Sequence, residues 1–241
     1  MPEAPPRTPV PAGDAKRSYV RAMFTAIAPR YDLLNHLLSL NVDRAWRRRA
    51  VNRLGFERAP AGPYLDSCAG TLDLGAELAR RETFGGRVVG ADFVVPMLKL
   101  GRGKAPALRP VGADALHLPF GDAAFDGALV GFGIRNLADL DAGLRELGRV
   151  LKPDARLVVL EFTLPPGPLV RAVYLAYFRH VLPAVGRVVS KHTDAYSYLP
   201  ASVTEFPAPD DLAGRMRAAG LRDVGYERLT FGIAAVHWGT K

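Results

Sequence analysis

The sequence holds a single cysteine, Cys68, which rules out an intramolecular disulfide framework and a thiolate zinc site. That scarcity fits a reducing cytoplasm. No apolar run is clean enough to cross a bilayer. The best candidate, GPLVRAVYLAYFRHVLPAVGRVV, is interrupted by Arg171, Arg179, His180 and Arg187 and contains Pro183. The opening MPEAPPRTPVPAGD lacks the apolar centre of a secretion signal and its prolines oppose a helix, so residues 1–14 are expected to be a disordered tail. The densest basic run, RAWRRRAVNR from Arg44 to Arg53, has one aromatic residue, Trp46, and none of the interleaving that stacks nucleic-acid bases. No repeat is visible.

Positive charge and β-rich runs are what the chain does have. A net charge of +8 suggests an anionic partner, nucleic acid or phospholipid, with a merely solvated basic surface as the equal alternative. The 241 residues suffice for one large α/β domain, folding from about Ala15. GPYLDS, GRVVGAD, LRPVGAD, FDGALVGFG and ARLVVLEF alternate with helix-period runs such as LDLGAELARR and LADLDAGLRELGRVLK. That alternation predicts a parallel sheet with helices on both faces. Near the end, LRDVGYERLT and FGIAAVHWGTK are close enough to pair as an antiparallel edge. The helical segment before the first strand must cover the sheet or its rim.

The first strand–turn–helix unit, YLDSCAGTLDLGAELARR, lies where open α/β sheets bind ligands, yet only Gly70 is a glycine in its turn. A pyrophosphate requires more glycine than this, and Leu72 speaks against a dinucleotide. A cofactor without phosphates asks for one close backbone approach plus hydroxyl and carboxylate groups, which Gly70, Thr71, Asp66 and Asp73 can supply. Asp92 closes the second strand, the place of an acid that takes ribose hydroxyls. Asp114 closes the third and can accept from an adenine amine. Each acid alone reads more readily as a turn or cap residue, and it is three successive strand ends bearing carboxylates that point to a ligand.

LDSCAGTLDL, GADF, GADALHLPFGDAAFD and RVLKPDARLVVLEF resemble the class I S-adenosylmethionine-dependent methyltransferases. FTAIAPRYDLLNHLLSLNVDRAW, GFGIRNL, YFRHVLPAVGRVVS, AYSYLPASVTEFP and FGIAAVHWGTK, in that order, resemble the ubiquinone/menaquinone biosynthesis C-methyltransferases from about Tyr19 to the C-terminus. The resemblance implies an α/β, Rossmann-like fold: a mostly parallel seven-stranded sheet with an antiparallel C-terminal hairpin and a helical N-terminal cover. It divides residues 15–241 into a cover (15–60), a cofactor-binding core (61–163), a substrate- and membrane-facing insertion (164–205) and a terminal helix and hairpin (206–241).

It implies S-adenosylmethionine as cofactor, held by Asp66, Ala69, Gly70, Thr71, Asp73, Asp92, Phe93, Asp114 and Ala115, and no metal. The implied substrate is a polyprenylated quinol, demethylmenaquinol or, alternatively, the benzoquinol of ubiquinone synthesis. Arg135 would offer a cation to the phenolate, Tyr31 would orient the other hydroxyl and Asn136 would hydrogen-bond nearby. The protein is expected in the cytoplasm, bound peripherally to the anionic inner face of the membrane, without nucleic acid; a homodimer is compatible with this. His36, His180 and His192 read as structural, and Cys68 as a small buried turn residue. Three positions depart from the family pattern: Leu72, expected to place an isobutyl group near the methionine end of the cofactor; Asp154–Ala155, where two glycines are usual; and Asp43, where histidine is usual. A degenerate fold that only binds, and an RNA methyltransferase, are the competing readings.

Overall fold

The computed structural model describes residues 11–32, 39, 41–181 and 194–241; His36, Pro183, Arg187 and His192 lie outside them. A seven-stranded sheet has the order β3-β2-β1-β4-β5-β7-β6. β1 (Pro63–Ser67), β2 (Arg87–Asp92), β3 (Leu108–Gly112), β4 (Phe125–Gly131) and β5 (Leu151–Phe162) are parallel. β6 (Arg222–Leu229) and β7 (Ala234–Thr240) pair antiparallel, as the sequence predicts, with β7 inserted beside β5.

Burial on both faces explains the continuous apolar runs of the central strands. In β5, Val158 and Leu160 join a core with Trp46, Ala50 and Leu54 of α2 (Val42–Leu54), Leu74 and Leu78 of α3 (Asp73–Ala79), and Leu98 of α4 (Val95–Gly101). Leu157 and Val159 face the opposite core, with Leu144 and Leu147 of α5 (Leu140–Val150) and Leu212 and Met216 of α8 (Pro209–Ala218). Asp139 caps α5 by accepting from the Ala142 N–H at 2.9 Å. α8 has Asp210 and Asp211 in its first turn and Arg215 and Arg217 in its last, matching the helix dipole.

α1 (Gly13–Ile27) starts two residues before Ala15 and crosses the carboxyl end of the sheet, touching α4, the turn at Ile134–Asn136 and α7 (Asp194–Glu205). α6 (Pro168–Ala176) follows β5 and runs into a wider turn at Tyr177–Val181.

Two departures from the family pattern have local explanations. Asp154 adopts φ 63° at an irregularity in the β4–β5 pairing, a left-handed conformation that aspartate tolerates and that Ala155 is spared. Asp43 is buried, accepts from Ser39 Oγ at 2.6 Å and pairs with Arg47. In the basic run Trp46 and Arg47 are buried, Arg49 and Arg53 both meet Glu227, and Arg44, Arg48 and Arg49 are exposed.

His237 on β7 is fully buried; its Nε2–H donates to the Pro209 carbonyl at 3.0 Å while Nδ1 has no partner among the described residues. Burial lowers its pKa from 6.5 to about 4. A depressed histidine pKa means that the unfolded chain binds the proton first, so stability falls as pH drops below 6.5 and levels off near 4. Relative to His237→Phe, the wild type should lose up to ~1.4 kcal/mol per pH unit across that window in urea titrations. Parallel curves would show that the ring does not titrate there.

Candidate active site

β1 and β4 lie side by side, and their chains leave in opposite directions. A cleft opens beyond their carboxyl ends, where such sheets bind ligands. The loop after β1 takes left-handed backbone at Cys68 (φ 54°), Gly70 (φ 51°) and Leu72 (φ 67°). Gly70 borders the cleft against Met97 and Tyr31, and a Cβ there would come within 3.3 Å of Met97 Cε. Of the rest of the loop, Ala69, Thr71 and Leu72 are not on the cleft wall, so only Cys68 and the one glycine border it.

Leu72 is the clearest case. It is fully buried and nests over Gly90 of β2, so that a Cβ at Gly90 would fall 2.0 Å from Leu72 Cδ2. Its isobutyl group faces the core and is not on the cleft wall, contrary to the expectation from the sequence. Ala69 packs into the same core.

Asp92 stands where the sequence predicts. Its Oδ2 accepts from the Gly70 N–H at 2.8 Å and its Oδ1 from the Val94 N–H at 2.7 Å, fixing both oxygens at the cleft wall. Burial pushes its pKa up, and the two backbone donors oppose that shift. Phe93, Asp114 and Ala115 continue the wall. Asp114 is not free to receive an adenine amine alone: its Oδ2 pairs with Arg17 of α1 at 2.8 Å. Arg17, Val20 and Phe24 make α1 the roof of the cleft, a role that sequence reasoning missed because only the helical period was visible there. Tyr31 packs edge-on against Phe24, ring centres 5.8 Å apart, and also lines the cleft.

Four expected cofactor ligands sit elsewhere. Besides Ala69, Asp66 is buried beneath α3, where its Oδ2 accepts from the Gly75 N–H at 2.8 Å; burial raises its pKa to about 7. Thr71 donates to Asp32. Asp73 meets Lys104 Nζ at 2.5 Å, and the same amine meets Asp32 at 2.7 Å. These polar side chains tie the N-terminal cover to the loop from behind, since buried hydroxyls and carboxylates must find partners. Cys68 is half-buried at the cleft wall, and burial pushes its thiol up.

At the other end of the cleft, Asn136 accepts from the Tyr198 hydroxyl at 3.1 Å. Arg135, its neighbour, is not on the cleft wall. Its Nη1 meets Glu161 Oε1 and the Phe132 carbonyl, each at 2.6 Å, in a pair almost sealed from water. Where the sequence leads one to expect a cation facing the phenolate, the structure has a guanidinium paired with Glu161, as a desolvated cation needs a counter-charge, and it borders a second pocket with Lys16, Ser202 and Glu205. Glu161 went unnoticed, although a lone acid ending the apolar run VVLEF was a readable signal.

A carboxylate for vicinal hydroxyls, a bare glycine edge and the apolar Phe93, Val94 and Leu116 fit the nucleoside of S-adenosylmethionine. Asp92→Ala should weaken binding of S-adenosylhomocysteine by about 1.5–3 kcal/mol through lost charge-assisted hydrogen bonds. An unchanged dissociation constant in calorimetry would refute that role.

Comparison with known proteins agrees with this geometry. The fold is that of a SAM-dependent methyltransferase, possible histamine N-methyltransferase, from Thermotoga maritima (18% identity, TM-score 0.64, 91% of this chain and 98% of that one). It is also that of the [4+2]-cyclase SpnF (17% identity, TM-score 0.66, 97% and 99%). The chain is 52% identical to a demethylmenaquinone methyltransferase of Thermus thermophilus, covering 91% of this chain and all of the relative. It is 48% identical to that of Deinococcus radiodurans (96% and 97% covered) and 45% identical to the ubiquinone/menaquinone biosynthesis C-methyltransferase UbiE of Citrifermentans bemidjiense (94% and 97%). The sequence profile of the ubiE/COQ5 methyltransferase family matches residues 12–241, and the chain belongs to that family.

Proposed function

We propose that this protein transfers the methyl group of S-adenosylmethionine to a ring carbon of a polyprenylated quinol, demethylmenaquinol in the first place. The cleft carries the reading: Asp92 and Gly70 hold its nucleoside end while Tyr31 and Asn136 border it. Bound there, the cofactor supplies a methyl on a cationic sulfur. A neutral quinol carbon attacks poorly, so the ring hydroxyl beside it must share or lose its proton. The carbon then gains the methyl, and S-adenosylhomocysteine and one proton leave. With its carbonyl oxygen held by Tyr198, Asn136 keeps its amide N–H groups for that hydroxyl. Arg135 acts as a positioning residue that fixes the turn carrying Asn136. The names of the relatives favour demethylmenaquinol and keep the benzoquinol as the alternative. Transfer of labelled methyl to each quinol in vesicles tests this; turnover of neither would sink it.

Membrane docking belongs to the same reading. No helix of the described residues is long and apolar enough to cross a bilayer. On α6, Leu169 is 77% and Val173 64% exposed, and Phe231 is 80% exposed on a turn that abuts Pro165 and Pro166. Arg171 and Arg179 lie exposed beside this apolar face. That is the layout of an interfacial helix. Binding to anionic vesicles should weaken as salt rises, and Leu169→Glu/Phe231→Glu should lower partitioning about tenfold. Equal binding to neutral and anionic lipid in co-sedimentation would count against it.

A further inference from the structure

Lys16 and Arg17 are consecutive near the start of α1, yet they serve different neighbours. Arg17 meets Asp114 on the cofactor cleft, whereas Lys16 borders the second pocket beside Ile134, Arg135, Ser202 and Glu205. The Lys16 ammonium is half-buried, and its one hydrogen bond among the described residues goes to the Arg135 carbonyl at 2.9 Å. Burial lowers its pKa; the exposed Glu205 carboxylate opposes that shift and Arg135 adds to it. An ammonium that gives up water for a neutral carbonyl gains little stability. The contact is better explained by where that carbonyl sits.

The Arg135 carbonyl and the Asn136 N–H belong to one rigid peptide plane. At one end of the plane the N–H donates to the Gly133 carbonyl at 3.0 Å, and at the other the C=O accepts from Lys16. The plane leads into Asn136, whose side chain lines the cleft with its Oδ1 held by the Tyr198 hydroxyl. The Arg135 side chain is pinned separately, to Glu161, Phe132 and Ser202.

We propose that Lys16 is a positioning residue for methyl transfer: it fixes the peptide plane that aims the Asn136 amide at the quinol hydroxyl, and does so from the helix that covers the cofactor. This rests on the quinol methyltransferase reading above. Methyl transfer needs its groups closely aligned, and a misplacement of about 1 Å costs on the order of a hundredfold in rate. A plane held at both ends resists rocking; one held only at its N–H does not. Because Arg17 anchors the same stretch of α1 to the wall of the cofactor cleft, the aim of Asn136 is tied to the seat of the cofactor. The ammonium itself touches neither ligand.

Lys16→Met keeps the stem and removes the donor. Turnover at saturating quinol and cofactor should fall about 10–100-fold, with quinol KM and S-adenosylhomocysteine affinity within about twofold. The melting midpoint should not move. Amide hydrogen exchange at Asn136 should quicken about tenfold, the loss of one hydrogen bond from its peptide plane, while the amides of β4 keep their rate. Lys16→Arg restores a charged donor and should recover most of the turnover. The inference falls if Lys16→Met turns over as the wild type does, if Lys16→Arg stays as slow as Lys16→Met, or if the Asn136 amide exchanges at its wild-type rate. It falls equally if cofactor affinity and melting midpoint drop together with turnover, which marks a structural lysine. An active wild type without these effects overturns this inference alone; no wild-type turnover on either quinol overturns the proposed function and this role with it.

Discussion

Glu161→Ala is expected to lower the free energy of unfolding by about 3–5 kcal/mol, because it removes one partner of a buried ion pair and leaves a guanidinium desolvated without its counter-charge. The glutamate side chain is fully buried and that of Arg135 only 6% exposed. Glu161 Oε1 accepts from Arg135 Nη1 at 2.6 Å and from the Phe162 N–H at 2.9 Å, and Oε2 from the Arg135 N–H at 3.4 Å. Glu161→Gln keeps a carbonyl for these donors and should cost less. Replacing both partners by apolar residues, as Glu161→Leu/Arg135→Met, should recover much of the loss, since no buried charge is then stranded. Urea unfolding of the three variants decides the matter. A double variant no more stable than Glu161→Ala would mean that the site cannot repack and that stranded charge is not the cause.

Leu72→Gly restores the glycine usual in the family and is nevertheless expected to destabilise. Two effects oppose each other. A leucine held at φ 67° carries strain of roughly 1–2 kcal/mol that glycine relieves. Emptying the fully buried hollow over Gly90 costs roughly 2–5 kcal/mol, and a flexible glycine adds a further ~0.5–1 kcal/mol through the unfolded chain. Packing wins by about 2–3 kcal/mol on these magnitudes. Affinity for S-adenosylhomocysteine should hardly change, because the side chain is not part of the cleft wall. A tenfold gain in affinity on calorimetry would show that Leu72 does obstruct the ligand.

The sheet was legible because each strand is an apolar run closed by Gly, Pro or Asp, and because the two last runs sit too close together to do anything but pair. Asp92 was legible for a related reason: an acid at a strand end has few places to point. Asp66, Thr71 and Asp73 were misplaced because strand and helix periods fix where a backbone goes but not which partner a polar side chain finds. Their partners, Gly75, Asp32 and Lys104, come from three separate segments. Leu72 and Gly90 posed the same problem: a glycine within β2 makes room for a leucine eighteen positions earlier, a complementarity visible only once the chain has folded. The roof over the cleft was hidden because α1 reads as a generic cover until its Arg17 meets Asp114.

That roof has a kinetic consequence. α1 is held at three points: Arg17 on Asp114 at 2.8 Å, Lys16 Nζ on the Arg135 carbonyl at 2.9 Å, and, just beyond its end, Asp32 on Lys104 at 2.7 Å. A nucleoside seated beneath α1 would have Arg17, Val20 and Phe24 at the rim of its exit. Its residence time is then governed by ionic contacts at the rim as much as by the contacts that recognise it. Arg17 is half exposed and so is screened by salt. Product release should therefore quicken with ionic strength, while the grip of Asp92, buried and held by backbone N–H groups, stays the same.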